Sequence, residues 1–201
     1  MNQRNVYELF PDPIFHYKLE NYKQINKELL NYILELQKKD KKGNNRSNKG
    51  GWHSPNFDLV NPGPPINFIN SFKDFLKHII EDEFGWEYVL NKQRVVAMWA
   101  IINKKNSYNV KHNHQNCYLS SAYYIKKPEN SGDITFHDPK EAKTYRFPEV
   151  EKHTSYSAES ITIKPKEGDL LIFPSYLYHD VGINLSDEER VVVSFNIDIG
   201  Y

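Results

Sequence analysis

Cysteine is almost missing from this chain: Cys117 stands alone among 201 residues. A single thiol cannot close an internal disulfide, so no disulfide framework holds the fold, and such usage suits a reducing compartment. Excess charge is missing too, with 26 Lys and Arg against 26 Asp and Glu. Bulk composition therefore points to neither a nucleic-acid nor an anionic-membrane partner. No apolar run approaches the roughly 18–20 residues that cross a bilayer. The opening stretch, MNQRNVYELFPDPIF, lacks the unbroken apolar core of a signal peptide. The expectation is a soluble, cytoplasmic protein, with residues 1–201 forming a single domain large enough for a substantial core.

What is present divides near residue 90. In YKQINKELLNYILELQK, residues 22–38, Ile25, Leu29, Leu30, Ile33, Leu34 and Leu36 recur close to a helical period between lysines and glutamates. That spacing predicts an amphipathic helix. A second helix is expected at about 66–82, burying Ile66, Ile69, Phe72, Phe75, Leu76, Ile79 and Ile80. Between them DKKGNNRSNKGGWHSPN is a loop by composition, its lysines reading as a solvated face rather than a polyanion site. From residue 93 short β-branched and aromatic segments take over: RVVAMWAII, CYLSSAYYI, DITFH, SITIKP, DLLIFP and RVVVSFNIDI. The fold class expected is mainly β with flanking α-helices. A jelly roll occupies about 91–201, and the helices of about 1–90 pack outside it as a buttress.

Two features of the β half carry chemistry. NVKHNH sets His112 and His114 two apart, and in an extended strand such residues project to the same face. His179 follows in GDLLIFPSYLYH, where a turn glycine, a buried strand and a proline leave a histidine at a barrel mouth. Gly-x5-Pro-x4-His after an upstream His-x-His is a spacing of double-stranded β-helix metal sites, so the three histidines are candidates for one metal. His16, His53, His78, His137 and His153 lack such a setting and are expected to be structural or surface residues. Arg190 opens the last strand, either as a solvated end or as a planar guanidinium able to hold a carboxylate by two parallel hydrogen bonds.

With these residues in hand, the chain resembles the 2-oxoglutarate/Fe(II)-dependent oxygenase superfamily, of prolyl-hydroxylase-like type. Within it, the chain is similar to a family found in marine bacteria and their phages. The likeness runs through LFPDPIF, SNKGGWHSPNFDL, WAIINKKNSYNVKHNHQNCYLSSAYYIKKPENSGDITFHDP and GDLLIFPSYLYHDVGINLSDEERVVVSFNI. It implies Fe(II) as metal and 2-oxoglutarate as cosubstrate, with His112 and His179 as ligands and Arg190 on the C5 carboxylate. Tyr124, Ser194 and Asn196 are candidates to complete that anchor, the last two because strand neighbours of Arg190 on one face fall at even spacing. Ser121 and Gln115 stand where the family usually has glycine and proline.

The usual ligand set is two histidines and one carboxylate, the acid lying two residues after the first histidine. Here that position is His114. Either His114 supplies the third ligand, which is favoured because the pair is local, or Asp138 of FHDP does. Three neutral imidazoles leave the site one charge more positive and better suited to an anionic cosubstrate.

The resemblance implies hydroxylation of an unspecified protein, peptide or small-molecule substrate, with 2-oxoglutarate decarboxylated to succinate. The alternatives are a cupin-type metalloprotein working without 2-oxoglutarate, which leaves Arg190 without a role, and an inactive structural phage or host protein. Trp52 in GGWHS reads either as part of a lid or as a plug at one barrel end, and Cys117 as a small buried hydrophobe. The sequence specifies neither prime substrate nor oligomeric state.

Overall fold

From Gln93 onward the chain crosses back and forth between two layers. The described residues of this computed structural model are 5–87, 93–140 and 148–199. Along them run β1 (Phe15–Lys18), α1 (Tyr22–Lys39), β2 (Asn48–Lys49), β3 (Trp52–His53), α2 (Pro64–His78), β4 (Gln93–Asn103) and β5 (Tyr108–His112). They are followed by β6 (Leu119–Lys126), β7 (Ile134–His137), β8 (Ser160–Ile163), β9 (Asp169–Pro174), β10 (His179–Val181) and β11 (Arg190–Ile199). One sheet has the order β1-β9-β6-β11-β4-β3, the other β2-β5-β10-β7-β8, and the pairs are antiparallel. With β4, β6, β9 and β11 in one sheet and β5, β7, β8 and β10 in the other, this is the jelly-roll winding of a double-stranded β-helix.

Side-chain parity decides what each face of the larger sheet meets. On β11, Val191, Val193, Phe195 and Ile197 are fully buried in one apolar cluster with Leu29 and Ile33 of α1 and Phe68, Phe72 and Leu76 of α2. The helices thus cover the outer face. The inner face faces the smaller sheet through Ala122, Tyr124, Leu171 and Phe173, packed on Ile134 and Phe136. Arg190, Val192, Ser194 and Asn196, the alternate residues of β11, line a cavity between the sheets.

The N-terminal ninety residues do more than buttress. β1 pairs with β9, β2 with β5 and β3 with β4, so three short strands extend both sheets. On α1 the buried positions are Asn26, Leu29 and Ile33, while Leu34 is exposed. Asn26 occupies an apolar face because both ends of its amide are satisfied: it donates to Ile125 O at 2.9 Å and accepts from Tyr123 Oη at 2.6 Å. The second helix starts earlier than expected, with prolines in its first turn where no amide donor is missed. It loosens into a π turn at Ile79–Glu83 that keeps both Ile79 and Ile80 fully buried. Among the described residues no helix is long and apolar enough to cross a membrane.

Candidate metal centre

The register of β10 against β5 sets His179 directly opposite His112. Their ring centroids are 4.4 Å apart. His114 lies past the end of β5, so strand parity alone does not aim it. Its amide donates to Ser175 O at 2.9 Å, and its ring sits 5.2 Å from each of the other two. One ligand atom from each of the three lies within 4.8 Å of the others, a group suited to one metal ion.

Each ring is tethered through Nδ1. His112 donates to Val110 O at 2.8 Å, His179 to Leu177 O at 3.0 Å, and His114 to Oδ1 of Asn196 at 2.7 Å. Committing every Nδ1–H to an oxygen fixes one tautomer and leaves each Nε2 lone pair for a cation. Burial opposes protonation throughout. It pushes His179 down to about 3 and His114 to about 4, and the charge of His112 acts in the same direction on both. His112 is lowered as well, by burial first. All three are therefore neutral at pH 7, the state that binds metal.

Asp138 is not in this group. Its carboxylate accepts the Lys140 amide at 2.8 Å, and it lines a separate cavity beside the N-terminal segment. Asn196, a candidate for the cosubstrate's far carboxylate, lines the same cavity as Arg190, and its amide oxygen takes His114 and the Ser120 hydroxyl, the latter at 3.0 Å.

The histidines open onto a cavity of about 640 Å³ that also reaches Arg190, Tyr124 and Ser194. Arg190 is 2% exposed. Its Nη1 donates to the carbonyls of Ser131, Gly132 and Gly182, the last two at 3.1 and 3.3 Å. Gly132 makes this seat possible: with φ at +83°, a Cβ there would lie 2.7 Å from Nη1. The seat holds one edge of the guanidinium, and no described residue takes a hydrogen bond from Nε or Nη2. The Tyr124 hydroxyl, on a side chain 1% exposed, likewise has no described hydrogen-bond partner, and burial raises its pKa. Both open onto the cavity, where water or a ligand can accept from them.

His53 carried the expectation of a structural or surface residue. It is 8% exposed, lines the same cavity, and stacks on Trp99, which lies 5.6 Å from His114. The lid reading of Trp52 fails for the same local reason. β3 pairs Trp52 with Ile102, the indole donates to Asp40 O at 2.7 Å, and the ring is buried in the core. Of the other histidines, His137 pairs with Asp180 at 2.6 Å, His16 with Asp169 at 3.1 Å, and His78 with Asp82, while His153 is exposed.

A jelly roll whose three histidines converge on an inter-sheet cavity has the form of a metal-binding domain. Residues 97–196 match the model of the family described as "Putative 2OG-Fe(II) oxygenase", and the chain belongs to that family. Solved structures agree in fold. A prolyl-4-hydroxylase from Pseudomonas putida superposes with a TM-score of 0.64 at 10% identity, covering 93% of this chain and 92% of that one. HygX from Streptomyces hygroscopicus, solved with nickel, 2-oxoglutarate and hygromycin B bound, gives 0.61 at 11% identity over 93% and 83%. A Trichoplax adhaerens prolyl hydroxylase, solved with a hypoxia inducible factor peptide fragment, gives 0.61 at 15% identity over 92% and 83%. No curated protein matches the chain in sequence.

Proposed function

We propose that this oxygenase hydroxylates its substrate using Fe(II) and 2-oxoglutarate, with His112, His114 and His179 holding the metal. The observation that carries the reading is a single cavity with three neutral, tethered imidazoles at one part of its wall and a buried guanidinium at another. The donor set fits a divalent first-row metal. When bound, iron and 2-oxoglutarate supply the activation of dioxygen, one oxygen atom entering the product and the other succinate as carbon dioxide leaves.

The chain's own residues bind, orient and exclude water. Val110, Leu177 and Asn196 hold the rings in the metal-binding tautomer. The free edge of Arg190 takes the far carboxylate of 2-oxoglutarate, with the Tyr124 hydroxyl and Ser194 as further donors on the same wall. Ala122, Ile134, Val181 and Val192 give that wall its apolar part, which keeps the carboxylate–guanidinium pair out of water. A metalloprotein without 2-oxoglutarate would leave the free guanidinium edge in the cavity with no hydrogen-bond acceptor, Asp133 acting on it only through space.

The test is turnover in air. Fe(II)-loaded protein supplied with 2-oxoglutarate forms succinate even without added substrate, and Arg190→Ala needs much more 2-oxoglutarate to form it. Undetectable succinate from iron-loaded, folded protein contradicts the reading.

A further inference from the structure

The metal ligands and the cosubstrate anchor leave one charged residue of the cavity wall unassigned. Arg46 is exposed, and its guanidinium has no hydrogen bond or ion pair with any described residue. No aspartate or glutamate lines the cavity among the described residues. The loop that carries Arg46 is nonetheless fixed. Its amide donates to Oδ1 of Asn48 at 2.8 Å, and buried Asn48 donates to Gly51 O at 2.8 Å. Val110 N donates to Ser47 O at 3.0 Å, and Asn109 reaches Ser47 Oγ at 3.2 Å. The loop is thus stitched to β5, the strand that ends at His112. From Arg46 the wall continues through His53 and the stacked Trp99 to His114. After burial, and against the Ser54 carbonyl, the charge of Arg46 is among the influences that lower the His53 pKa.

We infer that the substrate is a small organic anion whose carboxylate or phosphate group Arg46 holds at the His53–Trp99 side of the cavity. The inference rests on the oxygenase reading. A divalent metal on three neutral imidazoles, a dicarboxylate cosubstrate and two arginines leave the filled site with excess positive charge and no carboxylate on its wall. Asp133 beside Arg190 and Asp180 beside His112 act from outside the lining and are themselves paired with Lys127 and His137. A cationic substrate would meet uncompensated repulsion there, whereas an anion is drawn in and oriented by a planar donor pair. An apolar substrate would cover Arg46 without replacing its water.

The experiment uses the full chain loaded with Mn(II) and saturating 2-oxoglutarate. The probes are inorganic phosphate and its neutral ester trimethyl phosphate, followed by phosphorus NMR relaxation. Phosphate should show saturable relaxation with 2-oxoglutarate still bound, and trimethyl phosphate should not. Arg46→Gln should weaken phosphate about tenfold, the worth of one charge-assisted hydrogen bond, and Arg46→Lys should restore part of it. Relaxation that does not saturate overturns the inference, as does phosphate that binds only by displacing 2-oxoglutarate. Relaxation unchanged in Arg46→Gln, meaning an anion on the metal alone, overturns it too. A chain that binds neither Mn(II) nor 2-oxoglutarate, seen in titrations before phosphate is added, contradicts the oxygenase reading itself.

Discussion

His114 reaches Asn196 across the sheet: Nδ1 lies 2.7 Å from the amide oxygen, which also receives the Ser120 hydroxyl. Ser120 and Asn196 are register partners on β6 and β11, so sheet pairing itself presents the acceptor. Removing it in Asn196→Ala frees the ring to turn or change tautomer. Metal affinity should fall about tenfold to a hundredfold, the range for losing such a partner. Competition with a chelator of known affinity measures it, and an unchanged affinity would remove Asn196 from the site. Asn196→Asp should bind metal at least as well, because a carboxylate accepts the same N–H more strongly.

Metal content separates the two candidate third ligands. His114→Ala should lose most bound Fe(II), whereas Asp138→Ala should keep it, since that carboxylate is engaged with the Lys140 amide outside the cluster. His114→Asp recreates the two-histidine, one-carboxylate set and should retain metal at lower site charge. Equal loss in both alanine variants would bring Asp138 back into the centre.

Arg190 serves the fold and the ligand through different edges. Arg190→Ala should weaken 2-oxoglutarate binding about a hundredfold, as truncating one partner of a buried charge pair does. It should also destabilise the protein, because three carbonyls lose their donor. Arg190→Lys keeps the charge but not the planar fork, so 2-oxoglutarate should still bind poorly. Gly132→Ala should lower the melting temperature while keeping the guanidinium itself, since a Cβ at this left-handed backbone position would meet the Gly182 carbonyl first and then Nη1. Calorimetry of the three variants separates the two roles.

Acid should act through the same histidines. An unshifted imidazole titrates near 6.5, but burial holds His114 at about 4 and His179 at about 3. Between 6.5 and those values the unfolded chain binds protons that the folded chain refuses. Stability of the metal-free protein is therefore complete above about pH 6.5 and falls as pH drops toward 4 and below. Metal affinity should persist further into acid than at a site of exposed histidines. A melting temperature independent of pH from about 7 to about 4 would contradict this.

The sequence makes the core of the site legible for a topological reason. Glycine and proline bracket β9, so the spacing to His179 measures the distance from that strand to the start of β10, which pairs with the end of β5. Strand parity likewise announces Val192, Ser194 and Asn196 as neighbours of Arg190 on the cavity wall. What Asn196 bonds to is not legible, because His114 lies 82 residues away and meets it only when the sheet closes. His53 escapes for a similar reason: a two-residue strand inside a glycine- and lysine-rich stretch reads as loop until it pairs with β4. The Ser131–Gly132 seat of Arg190 reads as an ordinary turn. Its signal is a glycine two residues before the strand ITFH, where the left-handed backbone, the Gly182 carbonyl and the buried guanidinium all leave no room for a side chain.

The most direct measurement is an anaerobic titration of Fe(II)-loaded protein with 2-oxoglutarate, followed by visible absorbance. A metal-to-cosubstrate charge-transfer band should appear and saturate at one equivalent. The band should be lost in His114→Ala and shifted to much higher 2-oxoglutarate concentration in Arg190→Ala. A colourless complex, or a band indifferent to both substitutions, would contradict the oxygenase reading.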